Sequence, residues 1–310
     1  MTALSVAVPA PDFTERLRSL VLDSVHSRES KRAYGRGVDD FLAWFAATRP
    51  ASGFTKATVQ AYRAGLVESG LAASTINLRM TAIRRLALEA ADNGLLAPEI
   101  AAAIARVKGA RRQGVRIGNW LTVPQAEALI NQPNTATRKG KRDRALLAVM
   151  LGCGLRREET AALTVEHIQQ RDGRWVIVDL LGKGARVRSV PMPSWAKAAL
   201  DVWVASAAIE AGHVFRPVNK GGRVCGARMT AQAVFNTVKA YAAAIGIERF
   251  APHDLRRSYA KLAHKGHAPL EQIQLSLGHA SIQTTERYLG VEQDFTDAPC
   301  DHLGLRIKAG

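Results

Sequence analysis

Apolar residues recur every three or four positions over most of this chain, and that spacing predicts a protein built mainly of amphipathic helices. In Lys31–Phe45, Tyr34, Val38, Phe41, Leu42 and Phe45 fall on one helical face. Thr55 or Thr58 is placed to cap a helix carrying Val59, Tyr62 and Leu66. Ser74 is placed to cap the next, "STINLRMTAIRRLALEAADNG", with an apolar stripe of Ile76, Met80, Ile83 and Ala87 and a stop at Gly94. Its other face carries Arg79, Arg84 and Arg85, which is either a solvated basic face or a surface that lies against phosphates. Pro98 opens a further short helix, since proline is tolerated in the first turn.

The pattern breaks at Lys108–Asn119, "KGARRQGVRIGN", a stretch rich in glycine and arginine with no acid. Such a stretch reads as a cationic linker. It divides the chain into a helical domain, residues 1–107, a linker, 108–119, and a second domain, 120–310. The second domain opens with "TVPQ" (Thr122–Gln125), which has capping-box spacing. It contains one β interruption, in which "RWVIVDL" (Arg174–Leu180) and the alternating "RVRSVPM" (Arg186–Met192) flank a glycine turn. This reads as a β-hairpin with Lys183 at its tip. Helices resume at about 194–208, 230–245, 252–265, 269–277 and 281–289. The expected fold is mainly α with a small antiparallel β-sheet, in two domains.

Charge adds a partner to this picture. The chain of 310 residues has 43 Lys+Arg against 27 Asp+Glu, a net charge of +16. The excess is spread, +7 over residues 1–118 and +9 over the remainder, so both halves suit a polyanion, nucleic acid above all. Three scattered cysteines, Cys153, Cys225 and Cys300, form no CxxC pair, which suggests neither a zinc site nor a disulfide framework. A reducing, cytoplasmic and nucleoid-associated setting fits. The start "MTALSVAVPAPDF" does not read as a signal peptide, and the longest apolar run, Ala145–Leu155, is too short to span a bilayer.

Four segments carry candidate chemistry. "GCGLRREE" places Arg156 after a glycine-flanked turn, "GKGARVR" places Lys183 on the hairpin, and "HDLRRSYA" places His253 and Arg256 three apart on one helix face. "LGHASIQTTERYLG" adds His279 and, nine residues on, Tyr288. Singly, each has an ordinary reading: Arg156 paired with Glu159, a solvated Lys183, a capping His253, a loop His279, a core Tyr288. Together they suit phosphodiester transesterification. Arginine forks donate bidentately to non-bridging oxygens and stay charged. A tyrosine hydroxyl can attack phosphorus, while histidine and lysine can move the protons. No acidic cluster of the kind that would hold Mg²⁺ is evident, so fixed cations are expected to do the work without a metal or other cofactor.

The ordered set GLRxxE, GKG, HxLR, LGH and a tyrosine nine residues later closely resembles the tyrosine recombinases, the phage-integrase and Xer-type family. The resemblance covers nearly the whole chain. It implies a two-domain DNA clamp, with a core-binding (SAM-like) helical domain and a mixed α/β catalytic domain. It implies that Arg156 and Arg256 clamp the scissile phosphate, that Lys183 protonates the leaving 5′-oxygen, that His253 helps handle the proton and hold the phosphate, and that His279 bonds a non-bridging oxygen. Tyr288 would form a 3′-phosphotyrosyl link, and Glu159 would steady the arginine helix. Strand exchange would run through a Holliday junction in a homotetramer on two duplexes, assembled from a free monomer or weak dimer. DNA contacts are expected at Arg79, Arg84, Arg85, Arg111, Arg112 and Lys183, with accessory DNA-binding proteins as further partners and no membrane.

Two departures refine the expectation. The continuation "LGVEQDFTDAPCDHLGLRIKAG" is not the threonine-histidine continuation common in Xer proteins, which leans toward a mobile-element or phage integrase over Xer-type dimer resolution. The chain begins almost directly with the core-binding domain, leaving little room for an arm-binding domain. The rival readings are a type IB topoisomerase that relaxes supercoils as a monomer, and a non-catalytic DNA-binding relative.

Overall fold

The computed structural model describes residues 11–111, 119–182 and 186–289. The chain divides into two compact units, Met1–Arg116 and Ile117–Gly310, each with its own core.

The first unit consists of five helices: α1 (Pro11–Asp23), α2 (Arg28–Thr48), α3 (Lys56–Glu68), α4 (Ala73–Asp92) and α5 (Pro98–Ala105). The apolar stripes meet where the periodicity put them, and Val38, Phe41, Val59, Ile76, Met80 and Ile83 are almost fully buried. Phe41 is the aromatic centre, its ring 5.1 Å from Tyr62 and 5.3 Å from Phe54. Gly37 lets α2 cross α4 closely, because a Cβ there would lie 3.1 Å from Ala82 Cβ. Helix α2 begins earlier than its stripe, where Ser27 Oγ accepts from the Ser30 N–H.

Two expectations about helix caps are corrected here. Ser74 does not cap α4: the chain turns extended at Ala72, whose carbonyl already accepts from Thr75 and Ile76, so Ser74 lies within the first turn. Neither threonine caps α3. Thr55 occupies the cap position without a side-chain bond, and the hydroxyls of Ser52, Thr55 and Thr58 bond to one another and to the Gly53 carbonyl. The α4 arginines also make contacts within the unit. Arg79 pairs with Asp40 of α2 at 2.5 Å, Arg84 donates to the Val107 carbonyl at 2.5 Å, and Arg85 donates to Ser24 Oγ at 2.9 Å and pairs with Glu89. They tie α4 to its neighbours. The start of the glycine-rich stretch is tied down as well, since Asn77 accepts from the Ala110 N–H at 2.8 Å and donates to the Ala110 carbonyl at 3.1 Å. Arg111 is exposed, and Arg112 lies outside the described residues.

The second unit runs α6 (Val123–Asn131), α7 (Arg138–Cys153), α8 (Arg157–Ala162), β1 (Ile168–Arg171), β2 (Arg174–Leu181), β3 (Val187–Pro191), α9 (Ser194–Ser206), α10 (Ala231–Ala244), α11 (Pro252–Lys265), α12 (Leu270–Leu277) and α13 (Ile282–Leu289). The Thr122–Gln125 capping box opens α6. Helix α7 is the central post. Ala145 to Met150 are all fully buried against α9, α11 and the other elements around it, which is why this stretch reads as a continuous apolar run. The hairpin β2–β3 closes with the Gly182 N–H donating to the Arg186 carbonyl at 2.7 Å. Residues 183–185, and Lys183 with them, lie outside the described residues. The sheet has a third strand, in the antiparallel order β1-β2-β3. Strand β1, "IQQR", packs only Ile168 against the core and otherwise joins through backbone pairing, so no apolar alternation announces it. A small separate core of Ala260, Ile273, Leu277 and Leu289 joins α11, α12 and α13. Among the described residues no helix is long and apolar enough to cross a membrane.

Candidate functional site

Five of the six candidate residues, Arg156, His253, Arg256, His279 and Tyr288, come from four elements or turns of the second unit and meet at the small core under α11–α13. Each is aimed by local structure. Gly154 ends α7 at φ +60 with a Cβ-sized gap of only 2.7 Å to the Tyr259 ring, so glycine is required there both by backbone conformation and by space. That turn delivers Arg156 to the start of α8. Its N–H donates to Glu159 Oε2 at 2.8 Å and its Nη1 to Oε1 at 2.6 Å, while Nη2 reaches the Leu277 carbonyl at 3.4 Å.

Arg256 lies on α11, one turn beyond His253, and is 1% exposed. Its Nη1 donates to the Gly154 carbonyl at 2.6 Å and its Nη2 to the same Leu277 carbonyl that Arg156 uses. Two guanidinium groups therefore converge on one oxygen at the C-terminal, negative end of α12. Burial and then the charge of Arg156 push Arg256 down to about 9, still well above neutrality, so Arg256 stays a cation.

Helix α12 ends at Gly278 in the left-handed region, φ +62, and the reversal brings His279 back over the site. His279 Nδ1 shares a hydrogen bond of 3.0 Å with Thr285 Oγ1, a fully buried hydroxyl on α13. Leu289, 1% exposed, pins the end of the same helix. Between these anchors Tyr288 stands edge-on to two imidazoles, its ring 5.4 Å from His253 and 5.3 Å from His279. Its hydroxyl donates to the His253 carbonyl at 3.2 Å. Burial pushes Tyr288 up to about 12, with Arg256 and Arg257 opposing. Burial, then the neighbouring arginines, push His253 down and His279 down to about 4. Near pH 7 the tyrosine is protonated and His279 is a neutral imidazole, a starting state in which it can accept a proton. An open pocket of about 280 Å³, lined by Arg156, Phe235, His253 and Arg256 among others, gives access to the cluster.

Two residues of the site escaped the sequence reading. Arg257 stacks over the Tyr288 ring at 5.2 Å. Arg188 on β3 holds Glu159 with both arms, each at 2.8 Å. Arg188 shares the inward face of β3 with Val190, and a charge at an inward position of an alternating strand is the signal that would have found it. Among the described residues no group of three or more His, Cys, Asp or Glu is placed to hold a metal ion.

Glu159 carries a testable pH signature. Burial alone would raise it, but the Arg188 fork, the Arg156 N–H and the two positive charges outweigh burial and hold it down to about 2. A carboxylate depressed in the fold contributes stability that is present above its unfolded value and lost as pH falls through the folded one. The contribution is about 3 kcal/mol by the conversion of pKa shifts. The stability gap between the parent and Glu159→Gln should therefore shrink between about pH 4.5 and 2. Denaturant melts across that range check it, and a gap independent of pH would refute the assignment.

Comparison with known proteins shows the family to which the chain belongs. The family model described as "Phage integrase family" matches residues 119–294, and the model "Phage integrase, N-terminal SAM-like domain" matches residues 14–94. The chain is 31% identical to tyrosine recombinase XerC of Xylella fastidiosa (strain M23) over 282 residues, 89% of this chain and 92% of the relative. It is 30% identical to tyrosine recombinase XerD of Shewanella oneidensis over 241 residues, 76% of this chain and 77% of the relative. In fold it resembles the XerH site-specific recombinase bound to palindromic difH substrate, with a TM-score of 0.68 at 19% identity, covering 86% of this chain and 77% of that one. It also resembles the Tn1549 transposon integrase in complex with circular intermediate DNA, with a TM-score of 0.63 at 16% identity, covering 90% and 96% of the two chains. With both of its units matched in order, the chain belongs to the phage integrase family, the tyrosine recombinases that cleave and rejoin DNA at specific sites.

Proposed function

We propose that this recombinase cuts one strand of its duplex site by attack of Tyr288 Oη on the scissile phosphorus. The observation that carries this reading is that Arg156, Arg256 and His253 line one accessible pocket, while the Tyr288 ring packs against His253 and His279 beside it. The Oη–P bond forms and the bond from phosphorus to the 5′-oxygen breaks, leaving a 3′-phosphotyrosyl link and a 5′-hydroxyl. The Tyr288 proton passes to a neutral imidazole, assigned to His253, whose ring lies 5.4 Å from the tyrosine ring and whose side chain lines the pocket. Arg156 and Arg256 neutralise the charge on the non-bridging oxygens, and neutral His279 donates a hydrogen bond to one of them. Lys183 protonates the departing oxygen. A 5′-hydroxyl of a partner strand then reverses the step, so bond energy is conserved and no nucleotide cofactor is consumed.

The substrate is a pair of double-stranded sites held by a homotetramer, with exchange through a Holliday junction and accessory DNA-binding proteins where the site requires them. Segment 291–310 would dock on a neighbouring subunit; it lies outside the described residues. The DNA-bound XerH and Tn1549 integrase structures support duplex DNA as the partner. In the helical unit the phosphate contacts are best assigned to Lys56, Arg63, Arg106 and Lys108, which line one pocket of about 250 Å³ and carry no ion pair among the described residues. The buried Arg63 Nε there has no hydrogen-bond partner. Replacing Lys56 and Arg106 together by alanine should flatten the dependence of log K on log salt by about 2, since each phosphate contact contributes about 0.9. Filter-binding titrations check it, and an unchanged slope places the contacts elsewhere.

The departure of the tail from the common Xer continuation favours a mobile element or phage as the setting. The identity to XerC over 89% of the chain favours the second reading, dimer resolution. One experiment tests the reaction and separates the settings: lyse the host under denaturing conditions, recover the protein, and sequence DNA that remains attached. Attached DNA from one locus supports the reaction, and the neighbouring genes identify the setting. Absence of attached DNA, repeated on nicked synthetic sites that cannot religate, would overturn the proposal.

A further inference from the structure

Glu159 is shared by two arginines, and this sharing determines how Arg156 is presented. The carboxylate accepts four hydrogen bonds: Arg156 N–H and Arg188 Nη2 on Oε2, Arg156 Nη1 and Arg188 Nη1 on Oε1. Those four bonds use all the lone pairs a carboxylate offers. Arg188 takes the bidentate position, the geometry in which a guanidinium and a carboxylate bind most strongly. Arg156 is left with one side-chain bond to Glu159, and its Nη2 swings to the Leu277 carbonyl beside Arg256. Without Arg188, the bidentate position on Glu159 would be open to Arg156, which sits three residues away on the same turn. The guanidinium would then fold onto the carboxylate and away from the pocket.

Arg188 also supports the other side of the site. Its Nε donates to the Ser276 carbonyl at 2.8 Å. Its Cδ lies so close to Gly278 that a Cβ there would approach to 2.9 Å. The turn that carries His279 thus rests on the Arg188 side chain. The guanidinium is nine-tenths buried, its side chain 9% exposed, and the Glu159 side chain is 3% exposed, so neither is placed to meet DNA directly.

We propose that Arg188 is a positioning residue for strand cleavage: by occupying the fork of Glu159 it leaves the outer face of Arg156 free for the scissile phosphate, and by bonding Ser276 it supports the turn before His279. The proposal rests on the reading of Arg156 as a phosphate clamp and Tyr288 as nucleophile. Its consequence is selective, because what is lost on removing Arg188 is the interaction with a charged non-bridging oxygen.

The test uses the full chain, Arg188→Lys and Arg188→Gln, and nicked synthetic duplexes carrying either the natural scissile phosphate or a methylphosphonate, in which one charged oxygen is replaced by a neutral methyl. Single-turnover formation of the covalent adduct is measured for each. Both variants should form adduct on the phosphate site about 10–100-fold more slowly than the parent, the size of effect expected for one misaimed donor to a developing charge. On the methylphosphonate the deficit should shrink by at least about tenfold, because the charge that Arg156 serves is gone. Arg188→Lys keeps the charge and loses the fork, so it covers the case in which Arg188→Gln fails to fold. An equal deficit on both substrates would mean a merely structural role and overturn the proposal, as would no deficit on either. A parent chain that forms no adduct on either substrate would overturn the nucleophile reading itself, and Arg188 with it.

Discussion

Tyr288→Phe should yield no covalent adduct with DNA and should bind its site as the parent does. The ring is held by its neighbours rather than by its hydroxyl: Leu289 is buried beside it, Arg257 stacks on its face, and both imidazoles meet its edges. The hydroxyl itself makes one bond of 3.2 Å to the His253 carbonyl, on a partly exposed side chain. Removing it should cost about 1 kcal/mol of stability or less, the usual worth of one neutral hydrogen bond. The chemical loss is total, since phenylalanine offers no oxygen to phosphorus. Denaturing gels of nicked, labelled duplex after incubation with each protein measure it, alongside gel-shift affinities. An adduct formed by the phenylalanine variant would remove Tyr288 from the role of nucleophile.

Lys183→Ala should slow cleavage by about 10²–10⁴-fold, the range for loss of a positioned general acid. The hairpin strands that flank Lys183 are firmly placed. Gly182 and Arg186 close the loop by a backbone bond of 2.7 Å, and β3 is pinned by Arg188 to Glu159. A lysine delivered from this loop suits protonation of an alkoxide that leaves from phosphorus. The discriminating substrate carries sulfur in place of the bridging 5′-oxygen. A thiolate departs without needing a proton, so the variant should cleave this duplex at close to the parent's rate. Failure of the sulfur to rescue cleavage would take the general-acid role away from Lys183. These two variants divide the reaction between them, since sulfur has nothing to offer an enzyme whose nucleophile is missing.

Much of this protein is legible without coordinates, for physical reasons that can be named. Helical stripes such as Ile76–Met80–Ile83 are legible because burial on one face imposes a period of 3.6. The motif residues of the site are legible because phosphoryl transfer restricts which side chains can serve, and the turns that carry them need Gly154 and Gly278 in the left-handed region. Strand β1 was not legible, as its polar residues pair only through the backbone.

The sequence by itself determined that this chain is helical, basic and equipped with the residues of strand transfer, since composition and period are properties of single segments. It left each basic residue with two readings, because charge in a sequence carries no partner. Only the tertiary structure decided those. It drew Arg79, Arg84 and Arg85 into contacts within the helical unit, left Lys56, Arg63, Arg106 and Lys108 without an ion pair among the described residues, and set Arg188 between Glu159 and Ser276. Salt bridges and buried forks join residues 29 to 121 positions apart around this site, separations over which no local pattern operates.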